Sequence, residues 1–442
     1  MSNRTALMVV GGALGCLILA LCVVAAGLAG ISYYTAASAV RTVDRIAYVD
    51  NNLNIQVADA QGQHRVALTS DASNSAQKAY LFPTWSPDSQ QVAFVGVSGN
   101  PNQREAAINV APLAGGASKT VFKSNSQFPF YLYWAPDSQR IGFLAQGEDE
   151  MALMLGQTSG AGETRTLESG SPMYWSWSPD AQAMLLHVGG SGRDSNDARV
   201  SLLRWQEGKQ PQAFADKPGA FQAPHFSPDG SAILYASSNK ANEDDLFVAD
   251  VQGRNPKSVT SYQGTIAFAW SPDSKKIATM VTPDDADLPM QAPLWVSDAD
   301  GKNRKQITTE DALAFYWSPD SKHIAYLTIL LPGQSSGRSR SNGLNTPQRQ
   351  AATIQLRWKV VSAEGVQART LATFSPTDDF ISLLPFFDQY ARSLTFWSPD
   401  SKHFVYTHSD DDSNGGVWVA DLDGAKPPRR IGDGTLAVWS WR

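Results

Sequence analysis

The chain has 442 residues, 42% hydrophobic, 10% aromatic and 18% charged, which is enough apolar material for a full core and excludes general disorder. Its 42 acids outnumber 36 bases for a net charge of −6, against a nucleic-acid binder that needs a basic face. The two cysteines, Cys16 and Cys22, both lie near the N-terminus, so nothing downstream can form a disulfide, a zinc–thiolate site or a cysteine nucleophile.

The first predicted element is a membrane segment. Residues 6–31 carry no charge and are rich in Leu, Ile, Val, Ala and Gly. As a helix they would span about 39 Å, enough for a hydrocarbon core of about 30 Å. Arg4 precedes the run, and Tyr33 and Tyr34 follow it at the level of an interfacial belt. The pattern predicts a cytoplasmic tip and single-pass transmembrane anchor over 1–34, a linker over 35–44, and everything beyond outside the cytoplasm. Ala37-Ser38-Ala39 resembles a signal-peptidase site, but the apolar run exceeds the usual 7–15-residue signal core.

Beyond the linker one motif repeats. Aromatic-Ser/Ala-Pro-Asp begins at Trp85, Trp134, Trp177, Phe226, Trp270, Trp317 and Trp397, and a truncated copy, Trp439-Ser440, closes the chain. Successive starts are 49, 43, 49, 44, 47, 80 and 42 residues apart. An apolar residue always stands seven positions after the aromatic: Val92, Ile141, Met184, Ile233, Ile277, Ile324 and Phe404. A fixed inner offset with variable outer spacing describes a rigid hairpin joined by adjustable loops. Proline sets φ for the turn and Asp can bond nearby backbone amides. The strand that follows, such as 91–95, is apolar on both faces, as in a sheet sandwiched between two others. A third strand ends in an acid (Asp59, Asp250, Asp298, Asp421) before a turn and a short fourth strand. Four antiparallel strands per 42–49 residues is the signature of a propeller blade. Residues 45–70 supply strands two to four of a blade whose first strand is 435–441, so the fold class is an all-β, eight-bladed β-propeller over 45–442, closed by its N- and C-terminal strands. Phe374-Ser375-Pro376-Thr377-Asp378 imitates the motif too close to Trp397 to open another blade.

The run Trp270-Ser271-Pro272-Asp273-Ser274, followed by Ile277-Ala278-Thr279, resembles the TolB-like, WD40-like propeller repeat with its W-S-P-D-G and I-A-F segments. The resemblance covers residues 45–442 and implies an extracytoplasmic, bacterial propeller. It does not imply TolB's own role: the α/β domain of TolB is missing, eight blades are counted rather than six, and Ser usually replaces the motif Gly.

Sites are fewer. An anchor followed by an eight-bladed propeller also resembles the front part of dipeptidyl-peptidase-like enzymes, but the G-x-S-x-G run of this chain, Gly333-Gln334-Ser335-Ser336-Gly337, lies in a polar insert and not in the strand-to-helix turn that a nucleophile elbow needs. Of six histidines only His225 sits in an innermost strand, and His323 and His403 follow Lys at exposed turns, which argues against a histidine metal centre. Asp410, Asp412 and Asn414, with Asp421 beyond, follow the opening of a calcium loop, although no Glu supplies the twelfth position. Calcium is therefore the one cofactor candidate; otherwise none is expected.

Loops between second and third strands share one face of the propeller and carry Glu105, Glu148–Glu150, Asp194, Asp197, Glu243–Asp245, Asp284, Asp285, Asp287 and Asp410–Asp412, an acidic rim. The other face carries bases from Arg254 to Arg430, balanced by the motif aspartates, and is expected to look towards anionic lipid. Residues 332–350 read as a polar insert, and 375–391 as an apolar segment that covers the channel mouth, forms a contact patch or packs on the disc. Taken together, these readings predict a non-catalytic protein-binding or scaffold module held to membrane lipid by residues 6–31, with an envelope or membrane-complex protein as partner and no nucleic acid. The alternatives are a glycan hydrolase or lyase using channel-mouth carboxylates, whose mark is a carboxylate pair, and an accessory subunit of a larger membrane complex.

Overall fold

A computed structural model describes residues 44–442 except 101–102, 160–163, 191–197, 207, 209, 215–217, 220–221, 241–242, 285–290, 331–353, 366 and 411–413. The expected anchor and the 332–350 insert lie outside the described residues, and among those described no helix is long and apolar enough to cross a membrane.

Residues 44–442 form one compact unit of eight antiparallel sheets, seven with four strands and one with three. Blades are numbered here from the N-terminus by their innermost strands. These are Lys78–Trp85, Phe128–Trp134, Met173–Trp177, His225–Phe226, Thr265–Trp270 and Ala314–Trp317 for blades 1 to 6. In blade 7 the inner strand is reduced to a bridge between Trp397 and Phe404. In blade 8 it is Leu436–Trp439, which pairs with Arg45–Val49 so that Ile46 faces Trp439. One sheet thus joins both ends of the ring, as the repeat count requires.

The offset of seven is the register of the hairpin. Trp85 faces Val92, Trp134 faces Ile141, Trp177 faces Met184, Phe226 faces Ile233, Trp270 faces Ile277 and Trp317 faces Ile324. Between them the motif Ser hydroxyl donates to the motif Asp, as in Ser86 to Asp88 at 2.6 Å, and the same Asp accepts the amide of Gln90. The fifth motif residue adopts a left-handed conformation: Ser89 has φ 59° and Ser138 φ 60°. The strand-ending acids act likewise, since Asp59 accepts the amides of Gln61 and Gln63, and Asp250 those of Gln252 and Arg254. These two acids are turn formers, while Asp298 accepts from the Asn303 side chain and Asp421 from Arg429 and His403, so each has a structural partner in its own blade.

Blades are fastened to each other at the hub. The Trp134 indole donates to the Thr84 carbonyl of the blade before it, Trp177 to Tyr133, Trp397 to Tyr316, and Trp85 to Val438. Phe226 cannot donate; there the Phe226 amide bonds the Ser176 hydroxyl instead. The second strands are buried on both faces, as in Gln91–Ser98, where five consecutive residues from Val92 to Gly96 are enclosed between neighbouring sheets. The turns after strands one and three lie on one face, hereafter the turn face. The loops after strands two and four lie on the other, the loop face.

Candidate functional site

The segment between blades 6 and 7 closes the central channel. It leaves blade 6 at Phe374 and stays on the loop face, where the Ser409 amide bonds the Ser375 carbonyl. The motif-like Ser-Pro-Thr-Asp is a helix start: Thr377 caps the helix Asp378–Leu383 through the Phe380 amide, and Asp378 and Asp379 fill its first turn. A 3-10 turn, Leu384–Phe386, and a one-turn helix, Phe387–Tyr390, follow. The chain then runs along the channel to Phe396, whose carbonyl accepts the Val405 amide. Of the three readings open for 375–391, the segment packs on the inner strands and at the same time covers the channel mouth, entering the channel.

The plug is stitched to several blades. Thr84 donates its hydroxyl to the Ser393 carbonyl, and the Tyr131 hydroxyl donates to that of Gln389 at 2.9 Å. The Gln389 amide nitrogen donates to the Trp175 carbonyl. Arg392 donates through Nη1 to the carbonyls of Trp175 and Pro224 and through Nη2 to that of Ala223. Phe387 packs edge-on against Phe315 and Tyr316, with ring centres at 5.5 and 6.2 Å, and Tyr390 against Tyr131 at 5.0 Å.

Beneath the plug a cavity of about 470 Å³ opens towards the motif turns. Its walls are motif prolines and aromatic rings from the inner strands, including Tyr133, Phe268, Tyr316 and Trp317, with Trp441 contributing from the C-terminus. Besides the tyrosines Tyr133 and Tyr316, the described lining includes the ionisable side chains Asp388, Arg392 and His225. Burial raises the Asp388 pKa, outweighing the Arg392 charge and the amides of Gln389 and Ala223 that favour the carboxylate. Burial, with the Arg392 charge beside it, holds His225 well below the usual imidazole range, so this ring is neutral at pH 7. Asp388 is the only carboxylate among the described lining residues. Two acids flanking a scissile bond, the arrangement of glycoside hydrolysis, are not assembled there.

The calcium candidates are not gathered as the sequence suggested. Asp410 and Asp421 stand at opposite ends of the hairpin 403–421, about 20 Å apart at the usual rise per residue. Asp410 is bound to Arg430 at 2.8 Å, and Asp421 accepts from Arg429 and His403 at 2.8 and 2.9 Å. Asp412 lies outside the described residues, and Asn414 contributes its carbonyl to the Asp410 amide. The grouping is corrected because Asp421 turns its carboxylate to Arg429 and His403, at the far end of the hairpin from Asp410. His403 is likewise not simply solvated: besides Asp421 it stacks on Trp439 at 6.1 Å.

The charged faces also need correction. Asp244 and Asp245 lie within strand Glu243–Asp250 and are buried, so they leave the acidic rim. Glu105 is matched by Lys123. Glu148, Asp149 and Glu150 remain exposed on the loop face. Arg430, placed by sequence on the basic face, reaches Asp410 on the other. The bases of the turn face are largely paired, as Lys276 and Lys305 are by Glu364 and Lys302 is by Asp300.

No family model matches the chain. Among solved structures it is similar to an oligogalacturonate lyase in complex with manganese, at 12% identity over 85% of this chain and 95% of that one, with a TM-score of 0.51. It is also similar to a prolyl endopeptidase, at 11% identity over 83% of this chain and 50% of that one, with a TM-score of 0.53. A putative TolB from Agrobacterium tumefaciens matches at 18% identity over 61% of this chain and 88% of that one, with a TM-score of 0.39. At such identities the likeness is one of fold, and propellers with unrelated activities share it. Residues 44–442 form an eight-bladed β-propeller.

Proposed function

We propose that the protein is a non-catalytic binding module whose partner docks on the loop face. One observation carries the reading: the channel is closed from that face by Asp378–Phe396, and the cavity left behind it holds a single carboxylate among the described residues. The plug turns Phe387 inwards and leaves Ile381 and Phe386 exposed at 42% and 47%. The acids of 148–150 are exposed on the same face. An apolar knob on a face that carries acids suits a partner presenting apolar side chains among basic ones. The apolar run 6–31 supports display from a membrane, outside the cytoplasm. The test is capture by the full chain from detergent extracts, compared with Phe386→Asp and with Glu148→Lys/Glu150→Lys. Loss of one partner with each variant, and weaker capture at high salt, is the expected result. Capture indifferent to both changes would overturn the docking face.

A further inference from the structure

The cavity on the turn face is a second site, independent of the partner face. Its volume of about 470 Å³ falls in the range of small-molecule pockets. Because the plug closes it from the loop face, a ligand enters past the motif turns. Those turns give the mouth an apolar rim: Pro136, Pro179, Pro228, Pro272 and Pro319, one from each of blades 2 to 6, are exposed and line the cavity. Trp441 joins them from the C-terminus. Trp85, Trp134, Trp177, Trp270, Trp397 and Trp439 are at most 6% exposed, whereas Trp441 is 37% exposed. It is nevertheless held in place: its indole donates to the Trp85 carbonyl at 3.2 Å, and the next residue, Arg442, bonds Ser89 through its amide. A fixed aromatic surface left facing water at a cavity mouth gains free energy when a ligand covers it.

The ionisable groups of the wall are committed to the protein. Arg392 gives Nη1 and Nη2 to the carbonyls of Trp175, Pro224 and Ala223, and its Nε is enclosed. Asp388 accepts the amides of Gln389 and Ala223, and His225 is neutral. The indole nitrogens of Trp270 and Trp317 are enclosed as well and present nothing to the cavity. A charged ligand would surrender its hydration here without a free counter-charge, whereas an uncharged aromatic body surrenders little. We propose that this cavity binds an uncharged aromatic small molecule, seated inside the proline rim against the Trp441 indole, with Phe268 and Tyr316 in the wall around it.

The experiment is calorimetric titration of the full chain in phosphatidylcholine nanodiscs, with empty nanodiscs as the blank. Three ligands share one body and differ in charge: 2-naphthylacetamide, 2-naphthylacetate and 2-(2-naphthyl)ethylammonium. The amide is expected to saturate one site at millimolar concentration or below and to bind at least about ten-fold more tightly than either ion, a difference of about 1.4 kcal/mol. Trp441→Ala should weaken the amide by about three-fold or more, and Trp441→Phe, which keeps a ring, should restore most of that loss. Phe386→Ala, on the loop face, should leave amide binding unchanged. An ion bound as tightly as the amide, no saturable binding above the blank, an affinity indifferent to Trp441→Ala, or loss of binding in Phe386→Ala would each overturn the proposal.

Discussion

The hydroxyl of Ser138 in blade 2 accepts a hydrogen bond from the backbone amide of Asp88 in blade 1, at 3.1 Å. Ser138 holds this position with φ 60°, where glycine would be the easier residue. The same bond recurs from Asp229 to Ser274, Asp273 to Ser321 and Asp320 to Ser401. At the ring closure the amide of Arg442 takes the aspartate's place and bonds Ser89 at 3.0 Å. Where the fifth motif residue is Ala181 or Gly230 no hydroxyl is present to make it. Serine therefore replaces the motif glycine because it latches neighbouring blades.

Ser138→Ala removes the latch and keeps the left-handed strain, for an expected loss of about 1–2 kcal/mol. Ser138→Gly removes the latch and relieves the strain, so it should cost less than Ser138→Ala. Urea unfolding of the three proteins checks the order; a more stable Ser138→Ala would contradict the latch.

Trp439 is fully buried and its indole donates to the Asp44 carboxylate at 2.7 Å, beside the pairing that closes the ring. Trp439→Ala is expected to destabilise by about 3–5 kcal/mol. Limited proteolysis should then cut first within 44–70, the part of blade 8 that depends on the C-terminal strand.

Neighbouring phenylalanines in the plug should behave oppositely. Phe387 is 1% exposed against Phe315, and Phe387→Ala should cost about 3–5 kcal/mol. Phe386 is 47% exposed, and Phe386→Ala should stay within about 0.5 kcal/mol of wild type. Thermal melts of both variants decide whether the plug is part of the core.

Glu364 bridges Lys276 and Lys305 of blade 5 from blade 6. Hydrogen bonds from Lys305 and Lys276, with their charges, lower its pKa from 4.5 to about 2. A depressed carboxylate contributes stability above its unfolded pKa and loses it as the pH falls through the folded value. The difference between wild type and Glu364→Gln should thus be full at neutral pH, shrink below about 4.5 and vanish near pH 2. Because the carboxylate is 63% exposed, solvent screening keeps that difference below about 1 kcal/mol. Unfolding measured across this range, at low and high salt, checks it.

Sequence alone determined the ring. Turn chemistry acts between residues two to five apart, and strand pairing across a tight turn fixes a constant offset, so Trp85 with Val92 or Trp270 with Ile277 could be read directly. Closure followed from counting, because half a blade at one end needs half a blade at the other. The channel was a different matter. Asp388 and Arg392 resemble ordinary surface charges in their local sequence, and they become buried through carbonyls and amides 165–217 positions away in blades 3 and 4. Likewise, Asp421 looked like a ligand until its partners Arg429 and His403 were placed around it. Local patterns carry the energies of neighbouring residues, whereas desolvation and charge depend on everything that surrounds a group in space, and only the packed ring supplies that.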